Sequence, residues 1–184
     1  MTHYAIILKH THPKSHSHSD ALSLYAIELI ANNLVSVYNG TGNKKEWENI
    51  TMASTIGGMV INTAGVTLAH GMEHPASGLK NIVHGQGLAA LTPVVIDASY
   101  KGDEEKFGNI AKIFGGKSAA DCADKIRELL KAIDLECKLS DLGIAEEDIP
   151  WMAENCMKVS AAGVANNPVV FTQEEIAEIY RKAL

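Results

Sequence analysis

The sequence predicts an all-α fold, a bundle of seven to nine helices, and three observations carry that prediction. Apolar residues recur at helical spacing in segment after segment from residue 19 onward. Each segment is bounded by residues that cap or stop helices. No convincing alternation of apolar and polar residues marks a strand, and no internal repeat interrupts the pattern. At 184 residues the chain is long enough to bury one sizeable core.

Ser19-Asp20 can cap a first helix with apolar positions at Leu22, Tyr25, Ile27, Leu29, Ile30 and Leu34, closed by Asn39-Gly40. A second pattern runs from about Glu46 to Thr63 through Met52, Ile56, Met59, Val60 and Ile61. Gly57-Gly58 inside it would weaken a helix by ~1 kcal/mol per residue, so the pair suits close approach of another backbone. Ala64 to His74 is expected to continue as helix until Pro75 stops it, since proline lacks an N–H and its ring clashes with the preceding turn. Gly78 and Gly85 would then let the chain bend back.

Leu88 to Tyr100 is strongly apolar, with Pro93 as a kink or break. Asp103 to Phe114 reads as a short amphipathic helix closed by Gly115-Gly116. Ser118-Ala119-Ala120-Asp121 opens the next, striped by Ile126, Leu129, Leu130 and Ile133. Leu139 to Gly143 is a linker, and Glu146 to Val159 is helical with Pro150 in its first turn. Thr172-Gln173-Glu174-Glu175 forms a capping box for a last helix ending at Leu184.

Composition narrows the function classes. Net charge is −6 with both signs interspersed, which argues against a nucleic-acid surface. No apolar run is expected to approach the ~20 residues that cross a bilayer. The start has no basic leader, and Cys122, Cys137 and Cys156 read as reduced core cysteines, so a cytoplasmic location is expected. Residues 9–20 hold four histidines and read as a solvated loop before the first helix.

The chemistry concentrates in His70-Gly71-Met72-Glu73-His74-Pro75 and the following His84-Gly85. His70 and His74 are four apart and project from one helical face, while a return of the chain brings His84 toward them. Three imidazoles so placed make a plausible divalent-metal site. Spacing alone also fits the H-x-x-E-H pattern of inverted-zincin metallopeptidases with Glu73 as general base, although Pro75 and the extra His84 oppose it. A non-catalytic helical module with structural histidines is the third reading.

A longer string adds a resemblance beside these readings. Asn62 and Gly65, then His70-Gly71-Met72-Glu73-His74-Pro75, then Val83-His84-Gly85-Gln86-Gly87 closely resemble the iron-containing (group III) alcohol dehydrogenases. Ser19-Asp20-Ala21-Leu22, Leu142-Gly143-Ile144 with Asp148-Ile149-Pro150, Asn166-Asn167-Pro168, and Thr172 with Glu175-Ile176 and Tyr180 are similar to further elements of that family. The resemblance implies a dehydroquinate synthase-like, all-α C-terminal domain over residues 1–184, with the family's N-terminal dinucleotide-binding domain absent.

It also implies roles. His70 and His84 match metal ligands, and His3 is a candidate third ligand at the end of a similar upstream motif. His74 matches a histidine near the nicotinamide and substrate that helps relay the proton, making it both the catalytic and the cofactor-contacting candidate. The implied cofactors are a divalent metal, Fe2+ or Zn2+, acting as Lewis acid on the alcohol oxygen, and NAD or NADP in the full-length enzyme. The implied substrates are small alcohols and aldehydes, with no nucleic acid or membrane partner and a possible homo-oligomer. Without a carboxylate ligand or a Gly-rich dinucleotide loop, the isolated chain is expected to be inactive. Gly57, Gly58 and Gly65 would allow close packing around the cleft, with Met59, Asn62 and Leu68 as possible pocket residues.

Overall fold

The structure, a computed structural model, describes residues 17–184. Among them are nine α-helices and no strand: α1 (Ser17–Tyr38), α2 (Lys44–Ala64), α3 (Leu68–Lys80), α4 (His84–Ser99), α5 (Glu104–Ile113), α6 (Cys122–Ala132), α7 (Ile149–Val159), α8 (Ala161–Ala165) and α9 (Gln173–Ala183). The all-α expectation therefore holds, and several caps fall where the sequence puts them. Asp103 accepts from the Lys106 amide at the start of α5. The Thr172–Glu175 capping box opens α9. Helix α1 begins at Ser17, so the last residues of the His-rich tract are helical rather than loop.

The architecture is layered around α4, which packs against α3, α6 and α9. Its Leu88, Leu91, Val95 and Ile96 are essentially without solvent exposure. Helix α7 covers the other side of α3 and also meets α9. Tyr180 of α9 is fully buried and donates its hydroxyl to the Met72 carbonyl of α3 at 2.5 Å, so the C-terminal helix is pinned to the histidine-bearing one. Burial pushes the Tyr180 phenol well up, which keeps that donor protonated. Helices α1 and α2 form a closely packed pair to one side, with Ala26, Ile27 and Ile30 facing inward.

Four sequence expectations are corrected. The helix foreseen through Ala64 to His74 is broken at Gly65, whose φ of +76° is a conformation that side-chain-bearing residues rarely adopt, and α2 and α3 meet at 101°. Pro75 does not stop α3, and Pro93 does not break α4. Each proline forgoes one helical hydrogen bond, and the buried Met72 and Ala76 around Pro75, like Leu91 and Val95 around Pro93, show packing outweighing that loss. The reversal after α3 falls at Asn81, in the left-handed region at φ 53°, and not at Gly78 or Gly85, which both lie within helices. Finally, His18–Tyr38 has a mean hydropathy of 1.3 and is long and apolar enough to cross a membrane by length and composition. The short α8 has no counterpart in the sequence reading.

Cys122 and Cys156 are buried and free, as expected of core cysteines, and Cys137 is half-buried. Burial pushes both the Cys122 and Cys156 thiols up to about 12. A nonspecific thiol reagent at pH 8 should therefore label at most Cys137 in the native chain and all three cysteines in guanidinium, as counted by mass spectrometry. The unfolded chain ionises these thiols near 9 and the folded chain only near 12. Proton binding then favours the folded state, so stability to denaturant should fall as pH rises across that window.

Candidate metal centre

The centre is built at the junction of α3 and α4. Helix α3 starts where the Thr67 carbonyl accepts from the amides of His70 at 3.2 Å and Gly71 at 3.3 Å. The turn before it is clasped from outside, with Asn166 Nδ2 donating to the Val66 carbonyl at 3.3 Å. Asn167, next in sequence, is fixed by its own bond from Nδ2 to Ser99 Oγ at 2.8 Å. At the far end the Lys80 ammonium meets Asp148 at 3.0 Å and ties α3 to the start of α7. Bonds to the Ala145 amide and Lys80 hold the Asp148 carboxyl below its usual range. The result is a helix whose position is set at both ends.

From this frame three imidazoles converge. The ring centroids are 5.4 Å apart for His70 and His84, 5.9 Å for His74 and His84, and 6.1 Å for His70 and His74. His70 is buried, His74 is exposed one turn later, and His84 is half-buried as the first residue of α4. The sequence-predicted gathering of these residues is thus observed, while His3 lies outside the described residues. Among the described residues no group of three or more histidine, cysteine, aspartate or glutamate side chains is arranged to hold a metal ion.

Behind the rings sits Glu73, with no solvent exposure. Its carboxylate pairs with Nδ1 of His84 and accepts the hydroxyl of Ser77, one turn along α3. Ser77 Oγ also lies 3.1 Å from the Ile82 carbonyl, beside the turn into α4. Space for the carboxylate comes from Gly87 on α4, where a Cβ would lie 2.9 Å from both Cγ and Oε1 of Glu73. Sequence reasoning missed Ser77 and Gly87. The signal for Ser77 was present as the Glu73–Ser77 spacing of four, whereas nothing in the sequence pairs Gly87 with a residue on another helix.

This geometry removes the metallopeptidase alternative, because a general base for peptide hydrolysis must reach water and Glu73 is sealed in the core. Of the other residues named from sequence, Leu68 is fully buried core, while Met59 and Asn62 lie exposed on α2. The donor set does suit a borderline divalent ion. Imidazole nitrogens favour iron and zinc, and the Glu73 contact at Nδ1 leaves Nε2 as the nitrogen of His84 able to coordinate.

An all-helical domain with histidines gathered at one helix junction defines the class, and comparison defines the family. Residues 4–184 match the Fe-containing alcohol dehydrogenase family, C-terminal, and the chain belongs to that family. It is 37% identical over 173 residues to a 1,3-propanediol dehydrogenase of Citrobacter freundii, and 31% identical to a lactaldehyde reductase of Escherichia coli. In both comparisons the match spans 90% of this chain and 44% of the relative. Among solved structures, an archaeal halo-thermophilic alcohol dehydrogenase from a Red Sea brine pool superposes with a TM-score of 0.92 at 31% identity. That match takes in 100% of this chain and 49% of the other. A 1,3-propanediol oxidoreductase gives 0.90 at 32% identity. The chain thus spans about half the length of the relatives it matches.

Replacing Gly87 by alanine tests the packing of this centre. In an ordinary helix Gly→Ala stabilises by about 1 kcal/mol. Here the new methyl would overlap Glu73, and overpacking of this kind costs roughly 1–3 kcal/mol. Urea denaturation should show Gly87→Ala to be less stable than the wild type, and a stabilised variant would contradict the close approach.

Proposed function

We propose that this chain is the metal-binding and proton-relaying part of an iron-type alcohol dehydrogenase that interconverts small alcohols and aldehydes with NAD or NADP. The observation that carries the reading is the convergence of His70, His74 and His84 within 6.1 Å, on a domain of the Fe-containing alcohol dehydrogenase family. The relatives named 1,3-propanediol dehydrogenase and lactaldehyde reductase support small hydroxylated substrates. The family supports Fe2+ or Zn2+ as the ion, and a location in the cytoplasm follows from the reduced cysteines as a proposal.

His70 and His84 would hold the ion through neutral nitrogen donors, with His3 as a third candidate. A bound divalent ion supplies Lewis acidity toward an alcohol or carbonyl oxygen. The roles of the chain's own residues follow from their exposure. His70, buried against the core, is held rigidly and suits a structural grip. His74 is solvent-exposed and beside the other two rings, so it can pass a proton between a bound substrate oxygen and water. Its place one turn from His70 on the same rigid helix fixes the distance over which that transfer runs. His74 is the candidate contact to the nicotinamide, and no Gly-rich dinucleotide loop stands among these 184 residues.

Two outcomes follow. Calorimetric titration of the 184-residue chain should show weak Zn2+ binding that His70→Ala or His84→Ala removes and His74→Ala preserves; submicromolar affinity surviving His84→Ala would contradict the ligand assignment. The chain alone should show no NAD- or NADP-dependent alcohol oxidation by absorbance at 340 nm, and measurable turnover would overturn the expectation that these residues by themselves are inactive.

A further inference from the structure

We propose that Glu73 is a positioning residue of the metal centre, whose buried carboxylate accepts the Nδ1–H of His84 and so presents Nε2 toward the ion. The inference rests on the reading of His84 as a ligand and extends it to residues that reading does not use. Four observations converge on Glu73. Its side chain enters the α3–α4 contact, against Gly87 and the His84 ring, and has no exposure. Its two oxygens are divided between the Ser77 hydroxyl and His84 Nδ1. The facing helix carries Gly87, and any larger residue there would collide with Glu73 Cγ and Oε1. Ser77 Oγ also lies 3.1 Å from the Ile82 carbonyl, which places this hydroxyl beside the three-residue turn that carries His84 into place.

The physical logic is that of a ligand whose partner decides its tautomer. A neutral imidazole carries one proton, and the nitrogen that lacks it is the one that can coordinate. A carboxylate accepts hydrogen bonds and donates none, so pairing at Nδ1 places the proton there and leaves Nε2 bare. A buried carboxylate needs partners for its oxygens, and the protein supplies them from a hydroxyl on the same helix and a ring on the next. Because Glu73 is sealed from water, the ring orientation is held by the core of the domain rather than by a mobile surface group.

Histidine 15N NMR of the metal-free 184-residue chain reads the tautomer with no dependence on activity. In the neutral His84 ring the proton should reside on Nδ1, and an Nε2–H tautomer in the wild type would overturn the proposal even if no variant folds. Glu73→Met should shift His84 toward the Nε2–H form and weaken Zn2+ binding, measured by calorimetry, roughly 10–100-fold. Glu73→Gln, whose amide oxygen can still accept from Nδ1, should keep the tautomer and most of the affinity. A folded Glu73→Met chain with wild-type tautomer and affinity would contradict the role. A wild-type chain that shows the Nδ1–H tautomer but binds no Zn2+ would uphold the positioning of His84 and refute its assignment as a ligand.

Discussion

A carboxylate with no access to water sits between α3 and α4, and the geometry around the histidines depends on it. Burying an ionisable group is costly unless its oxygens find partners, so Glu73 dictates what surrounds it. Ser77 must lie one turn along, His84 must open the next helix, and Gly87 must leave room. These demands fix how α3 and α4 pack, and that packing sets the separation of His84 from His70 at 5.4 Å between ring centroids. The rest of the domain reinforces the same junction. Tyr180 grips Met72 from α9, Asn166 grips the turn before α3, and Lys80 joins its end to Asp148.

The three imidazoles then divide by exposure rather than by residue type. His70 is buried on the same helix that leaves His74 in solvent, although only one turn separates them. A ligand benefits from burial because a rigid ring costs less entropy to order around an ion, whereas a proton relay must stay in contact with water. One amphipathic helix thus supplies both kinds of environment. His84 lies between them in exposure and is held by the Glu73 carboxylate.

Much of this was legible in the sequence, and the misses share a cause. Helical periodicity and caps such as Asp103 and the Thr172–Glu175 box depend on neighbours in the chain, so they read directly. The spacing of His70, His74 and His84 likewise points to the gathering of three rings at the α3–α4 junction. Pro75 does not stop its helix, nor does Pro93 break its own, because local propensity yields where buried residues on both sides hold a helix together. Gly65 was passed over as a packing residue when its positive φ marks the corner between α2 and α3. Glu73 looked like a base within H-x-x-E-H, and only the tertiary contact with Gly87 and His84 shows that it faces the core. Contacts between residues on different helices leave no local signature, and that is where the sequence falls silent.

The central claim is that the histidine junction binds a divalent ion through His70 and His84, with Glu73 behind the second ring. Anomalous diffraction at the zinc edge, from crystals of the chain grown with Zn2+, tests it most directly. A peak is expected within about 2.1 Å of a ring nitrogen of His70 and of Nε2 of His84, with Glu73 still on Nδ1 and His74 outside the coordination sphere. A zinc ion bound to His74, to Nδ1 of His84 or to the Glu73 carboxylate would contradict it.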